Sequence, residues 1–181
     1  MADLPDSRPA GDSESPSEAP ATSLGVWDDL QLGFNGNAKA KLDERGRLKL
    51  PTEFKNFVER KYGKDFNAFY ITSMEGDDAE IYTMPEWQQH MAKIFRMPKS
   101  HPSRIKLLKS NSLYGDRVDM DPQGRLLFPE ELRRVGMVNL DVRVSGEENL
   151  LRVVSLQSLR DEVKANRFTE QDMDAFTEYD V

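Results

Sequence analysis

A ten-residue pattern occurs twice in the chain. Leu42-Asp43-Glu44-Arg45-Gly46-Arg47-Leu48-Lys49-Leu50-Pro51 returns as Met120-Asp121-Pro122-Gln123-Gly124-Arg125-Leu126-Leu127-Phe128-Pro129. Both read apolar-Asp-x-x-Gly-Arg-Leu-x-apolar-Pro, at a constant offset of 78 positions. The match runs on past the prolines, where Glu53, Phe54, Lys55 and Phe57 correspond to Glu131, Leu132, Arg133 and Val135. An internal repeat of this kind means that the two parts of the chain are built alike, so one fold must accommodate the same local structure twice.

Each position in the repeat has a physical reading. Asp43 and Asp121 can bond their own backbone, and Gly46 and Gly124 supply the positive φ that other residues avoid, so each pair brackets a tight turn. Arg47 and Arg125 then stand at the mouth of a strand. Leu48 and Leu50 alternate with Lys49, the period of a half-buried strand. Leu126-Leu127-Phe128 is apolar throughout and reads as a more fully buried strand. The prolines end the strands, and acidic Glu53, Glu130 and Glu131 open short helices, where they suit the helix dipole. Each unit is therefore strand, turn with Arg, strand, helix.

The flanking sequence fills in the rest. Ala38, Ala40 and Leu42 alternate with Lys39 and Lys41, so a strand precedes the first turn and forms a hairpin with Leu48–Leu50. Lys39, Lys41, Arg45, Arg47 and Lys49 crowd that hairpin. Five close cations repel one another unless an anion sits among them; the readings are a phosphate-facing surface or a solvated charged face. Strands are expected at Ala68–Thr72 and Ala79–Thr83, and a helix from Glu86 to Phe95 with Trp87, Met91 and Ile94 on its core face. Residues 97–102 break the chain, and Ser103–Lys109 reads as a short helix. Leu113–Met120 reads as the strand before the second turn. A hairpin of Val142–Val144 with Leu150–Val154 and a closing helix over Leu156–Val163 complete the pattern.

Charge is unevenly spread. The chain of 181 residues has a net charge of −7. Residues 1–30 carry −6 and residues 161–181 carry −5, which leaves +4 on residues 31–160. A mildly basic body with acidic ends is compatible with a nucleic-acid binder whose ends lower non-specific affinity, or with ends that only solubilise. Residues 1–24 are rich in Pro, Ser, Ala and acids, and are expected to be disordered. Val26–Leu30 either docks on the body or forms a short helix. The organisation expected is an acidic tail over 1–30, a first half over 31–97, a second half over 98–164 and an acidic tail over 165–181. With no cysteine there is no disulfide framework or thiolate metal site, which fits a reducing cytoplasm. No apolar run is long enough for a membrane span.

Catalytic chemistry finds little support. His90 and His101 lack neighbours at ligand spacing, so neither a metal nor a cofactor is expected. Asp43 and Asp121 are explained as turn residues, each kept ionised by its arginine.

The duplicated Asp-x-x-Gly-Arg turns, each followed by apolar-x-apolar-Pro and a charged helix, resemble AbrB-type DNA-binding halves. Their fusion in one chain resembles the MraZ family of bacterial transcriptional regulators, over roughly Leu32 to Arg160. The resemblance implies an α+β, β-rich fold in which two intertwined AbrB-like strand-turn-strand-helix halves form a double swapped-hairpin barrel with pseudo-two-fold symmetry. It also implies a ring-shaped homo-oligomer that binds short double-stranded promoter repeats and represses the division and cell-wall gene cluster, in the cytoplasm and on the nucleoid. Arg47 and Arg125 are the base-reading candidates by residue type, flanked by Lys41, Arg45 and Gln123. Lys55, Arg133 and Arg134 match helix positions that are basic in AbrB-type proteins and are assigned to phosphates. The second turn is less basic, since Gln123 replaces Arg45 and Asp119 replaces Lys41. Arg47 and Arg125 have a second reading, as partners of Asp43 and Asp121 that hold the turns. The rival reading for the whole is an oligomeric scaffold of the same fold that contacts an acidic protein.

Overall fold

The two copies of the repeated turn do not fold each on its own strands; each completes the other. The computed structural model describes residues 33–178, so the expectations for residues 1–30, including Val26–Leu30, lie outside the described residues. The first unit contains β1 (Asn37–Leu42), β2 (Arg47–Lys49), α1 (Thr52–Tyr62), β3 (Ala68–Thr72), β4 (Ala79–Thr83) and α2 (Met84–Phe95). After α3 (Pro102–Tyr114), the second unit repeats it as β5 (Asp116–Asp119), β6 (Arg125–Leu127), α4 (Glu130–Arg134), β7 (Leu140–Glu147), β8 (Leu150–Ser155) and α5 (Leu156–Ala165). A last helix, α6 (Glu170–Glu178), follows.

All eight strands form one antiparallel sheet in the order β5-β3-β4-β8-β7-β1-β2-β6. The second turn joins β5 to β6, with the Asp121 amide donating to the Arg125 carbonyl at 2.9 Å, so the sheet curls into a nearly closed barrel. The hairpin expected from β1 and β2 touches itself at one residue pair, Leu42 with Leu48. Its β1 instead runs along β7 over its whole length, while β2 pairs with β6. That is the swapped-hairpin arrangement. Its pseudo-two-fold axis passes between Leu48 and Leu126, which face each other across β2 and β6. It passes again between Glu80 and Arg152, opposed across β4 and β8. The same bond is made twice about this axis: Leu50 N–H donates to the Gly124 carbonyl, and Phe128 N–H to the Gly46 carbonyl, both at 2.9 Å.

Strand alternation explains the core. Leu42, Leu48, Leu126, Phe69, Ile71, Ile81, Val144, Leu151 and Val153 fill the barrel, and Phe54 and Val58 from α1 and Leu132 from α4 are buried with them. Truncating any of these leucines to alanine would cost about 2–5 kcal/mol. Two expectations are corrected. Leu127 lies outside, 45% exposed, between fully buried Leu126 and Phe128; the pleat turns every second residue outward whatever its polarity. Leu113 and Tyr114 belong to α3, not to the following strand. This helix docks through a polar contact: the Thr72 hydroxyl donates to buried Asn111 Oδ1 at 2.9 Å. Ser110 Oγ donates to the Ser73 carbonyl at 2.9 Å and also to that of Met74.

Candidate nucleic-acid interface

The two turns are built bond for bond alike. Asp43 Oδ1 accepts from the amides of Arg45 and Arg47, both at 2.9 Å, and Oδ2 takes Arg47 Nε at 2.7 Å. Asp121 Oδ1 accepts from the amides of Gln123 and Arg125, both at 2.9 Å, and Oδ2 takes Arg125 Nε at 2.7 Å. Gly46 and Gly124 close the turns at φ 73° and 76° and donate to the Asp43 and Asp121 carbonyls. The Arg47 amide, helped by its guanidinium and the Arg45 amide, holds the Asp43 carboxyl below the usual range against partial desolvation. At Asp121 desolvation is the largest single influence and pushes upward. The Arg125 amide and guanidinium, with the Gln123 amide, outweigh it, and the carboxyl is again lowered. Both aspartates are thus charged at neutral pH and act as fixed anchors for arginine.

The anchoring engages only Nε. Arg47 keeps 29% of its side chain exposed, and among the described residues no hydrogen bond engages its two terminal nitrogens. Arg125 is similar, with one terminal nitrogen donating to Gln123 Oε1 at 3.2 Å. The turn-holding role of these arginines is therefore real, and it leaves the tip of each guanidinium outward.

The helix cations are placed differently. Each of Lys55 and Arg133 lies over the glycine of the other unit's turn. A β-carbon at Gly46 would stand 2.5 Å from Arg133 Cγ and Cδ, while one at Gly124 would stand 3.6 Å from Lys55 Cδ. Arg133 Nε donates to the Phe128 carbonyl at 2.9 Å. Lys55 Nζ sits 3.3 Å from Glu59. Arg134, well exposed, pairs with Glu130 at 2.7 Å and Glu131 at 2.8 Å. Arg133 and Arg134 thus have structural partners that the phosphate assignment did not foresee.

The register sets out the remaining cations. Leu42, Leu48 and Leu126 point inward, so Lys41, Arg47, Lys49 and Arg125 point outward on adjacent strands, with exposed Lys39 and Arg45 beside them. Lys39 pairs with Arg143 of β7, and Lys41 with Asp141. Arg143 is the residue missed from sequence. The alternation Asp141-Val142-Arg143-Val144 already set it opposite two core valines, but its neighbour strand could not be read from local sequence. The second hairpin is weaker. Arg117 there faces Asp119 at 3.6 Å, and Leu127 stands where the first hairpin has Lys49. No group of three or more histidines or acids is placed to hold a metal among the described residues, and His90 stacks on Trp87 and lies tilted against Tyr82.

Crossed hairpins closed into one barrel, each tipped by an aspartate-anchored arginine, define a duplicated protein of the AbrB type. No family model matches the chain. Individual relatives do, over 62–81% of its length. "Transcriptional regulator MraZ" of Acidobacterium capsulatum is 38% identical over 146 residues, 81% of this chain and 98% of that protein. That of Koribacter versatilis is 37% identical over 139 residues, 77% of this chain and 93% of that protein. That of Bordetella pertussis is 30% identical over 114 residues, 62% of this chain and 75% of that protein. The chain belongs to the MraZ family.

Proposed function

We propose that this chain is a transcriptional regulator that binds double-stranded DNA through the outward face of β7, β1, β2 and β6. The observation that carries the reading is the run of cations on four adjacent strands, with both aspartate-anchored arginines among them. Arg47 and Arg125 read bases. With Nε held by aspartate, the terminal nitrogens form a fixed fork that suits guanine O6 and N7, worth about 1–3 kcal/mol of discrimination per contact. Holding the fork in advance reduces the side-chain entropy lost on binding. Lys39, Lys41, Arg45, Lys49 and Arg143 hold phosphates, which orient the protein without reading sequence. Gln123 and Lys55 flank the second turn. Arg133 and Arg134, already engaged, contribute less.

The finer reading rests on the family resemblance and on the relatives' name. Several copies in a ring-shaped homo-oligomer engage short repeats in the promoter of the division and cell-wall gene cluster and repress it, on the nucleoid in the cytoplasm. Linked modules raise the effective concentration at a repeated site, so a small interface per copy suffices. No described helix is long and apolar enough to cross a membrane.

The test is fluorescence anisotropy on promoter DNA. Arg47→Ala with Arg125→Ala should lower specific affinity at least tenfold while the circular dichroism spectrum stays that of a folded protein. In the same titration the logarithm of the binding constant should fall linearly with that of salt, by about 0.9 per phosphate neutralised. Unchanged binding by the double variant would remove Arg47 and Arg125 from base reading, while no binding by wild type, or a flat salt response, would remove the DNA reading and leave the oligomeric scaffold.

A further inference from the structure

Two surfaces far apart in sequence are each left incomplete, and they complement each other. Residues 93–110 contain six lysines and arginines and no acid. They span the end of α2 and most of α3, whose facing sides, with the β3–β4 turn, border a groove of about 440 Å³. Met74, Ile94, Met97 and Leu107 supply its apolar lining. Phe95 stands at the rim, 55% exposed, with the Arg104 guanidinium 5.2 Å from its ring centroid. Arg104 is fixed by donating to the Met97 carbonyl at 2.6 Å. Lys93, Arg96, Lys99, Lys106 and Lys109 are exposed, and among the described residues none has an ion-pair partner.

The second surface is α6. Thr169 and Asp172 cap its start reciprocally: Asp172 Oδ2 accepts from the Thr169 amide at 2.7 Å, and the Asp172 amide donates to Thr169 Oγ1 at 3.3 Å. Phe168 packs on Phe176 with ring centroids 5.7 Å apart, so the residue ahead of the helix folds back along it. The helix is thus well made at its entry, yet its apolar side is open: Phe168 is 74% and Met173 57% exposed. At nine residues it is shorter than the ~12–15 that stand alone in water, so it needs a surface to lie on. Glu170, Asp172 and Asp174 flank the apolar residues, with no lysine or arginine from 168 to 174.

We propose that the α2–α3 groove receives Phe168 and α6 of a second copy of this chain. The proposal rests on the homo-oligomer reading above and names its contact. Phe168 and Phe176 enter the apolar groove, and Glu170, Asp172 and Asp174 lie against Lys99, Lys106 and Lys109. Opposite charge steers the encounter and fixes its orientation, while burial of the aromatic rings supplies most of the affinity. Groove and helix are different patches on each copy, so the contact is head-to-tail. It propagates from copy to copy and closes when the rotation permits.

The experiment is sedimentation velocity on the full chain without DNA. One variant, Lys106→Glu with Lys109→Glu, spoils the groove; the other, Phe168→Asp with Phe176→Asp, spoils the helix. Wild type should sediment as an oligomer and each variant alone as a monomer. An equimolar mixture should give a dimer and nothing larger, because it contains one intact groove and one intact helix per pair. The groove variant alters only exposed charges and keeps the test decisive if the phenylalanine variant misfolds. Wild-type mass retained by either variant overturns the contact while leaving the oligomer standing, as does a mixture that stays monomeric. A groove variant that keeps its mass but loses DNA affinity assigns the basic groove to DNA and overturns it too. A monomeric wild type overturns the oligomer reading and the contact together.

Discussion

Asp43 and Asp121 carry more of the local structure than any other residues at the turns, because each gathers two amides and a guanidinium onto one carboxylate. Their raised acidity has a sign that can be checked. A carboxyl whose folded value lies below its unfolded one stabilises the fold above the ordinary aspartate range. That contribution is lost as pH falls through the lowered value, that is, below ~4. Thermal melts of wild type and of Asp43→Asn with Asp121→Asn, taken from pH 7 to pH 3, should show wild type more stable at pH 5 to 7. The gap should shrink below pH 4, where the wild-type carboxylates also become neutral. A gap that stays constant down to pH 3 would mean that the charge on these groups does not hold the turns. Both aspartates and both arginines could be read from the sequence, because Asp-x-x-Gly-Arg specifies a turn locally. That the arginine is anchored through Nε, with its tip left out, is a matter of side-chain geometry that residue types leave open.

At the level of elements, the hairpins are alike in backbone and unlike in what covers them. Either glycine replaced by alanine places a side chain at positive φ, at about 1–2 kcal/mol. Gly46 carries a further burden, since Arg133 lies where the new methyl would go, whereas Lys55 leaves ordinary contact distance at Gly124. Gly46→Ala should therefore destabilise by at least about 1 kcal/mol more than Gly124→Ala, read from urea midpoints; equal midpoints would show that Arg133 moves aside without cost. Elements with a strong period were legible in advance, among them β3, β4, β7, β8 and α1. The length of α3 was not, because it docks through Asn111 and Ser110 and so presents no apolar stripe where it meets the barrel. The solvent-facing Leu127 was misread for the opposite reason: an unbroken apolar run hides the alternation that the pleat imposes. Strand partners were legible only through the family resemblance, since nothing local in β1 says that it will lie along β7.

On the scale of the whole molecule, neither unit owns a complete sheet. Strand β1 lies along β7, β2 along β6, β3 along β5 and β4 along β8, each pair joining the two units, and Arg152 ties β8 to Asp78 at 2.8 Å and to Glu162 of α5 at 2.8 Å. The described chain should unfold in a single transition with equal calorimetric and van't Hoff enthalpies. Residues 31–97 and 98–178, expressed apart, should each fail to fold as monomers; a folded monomeric fragment would show that the units are separable. Fusion into one chain has another effect. A dimer of identical chains presents the same hairpin twice and has no preferred heading on a duplex. Here Asp119, Gln123 and Leu127 stand in place of three cations on one side only, so the molecule has a leading edge and a trailing edge. Successive copies laid along a duplex with the same heading would all meet it in the same sense, and a site written forwards would differ for them from one written backwards.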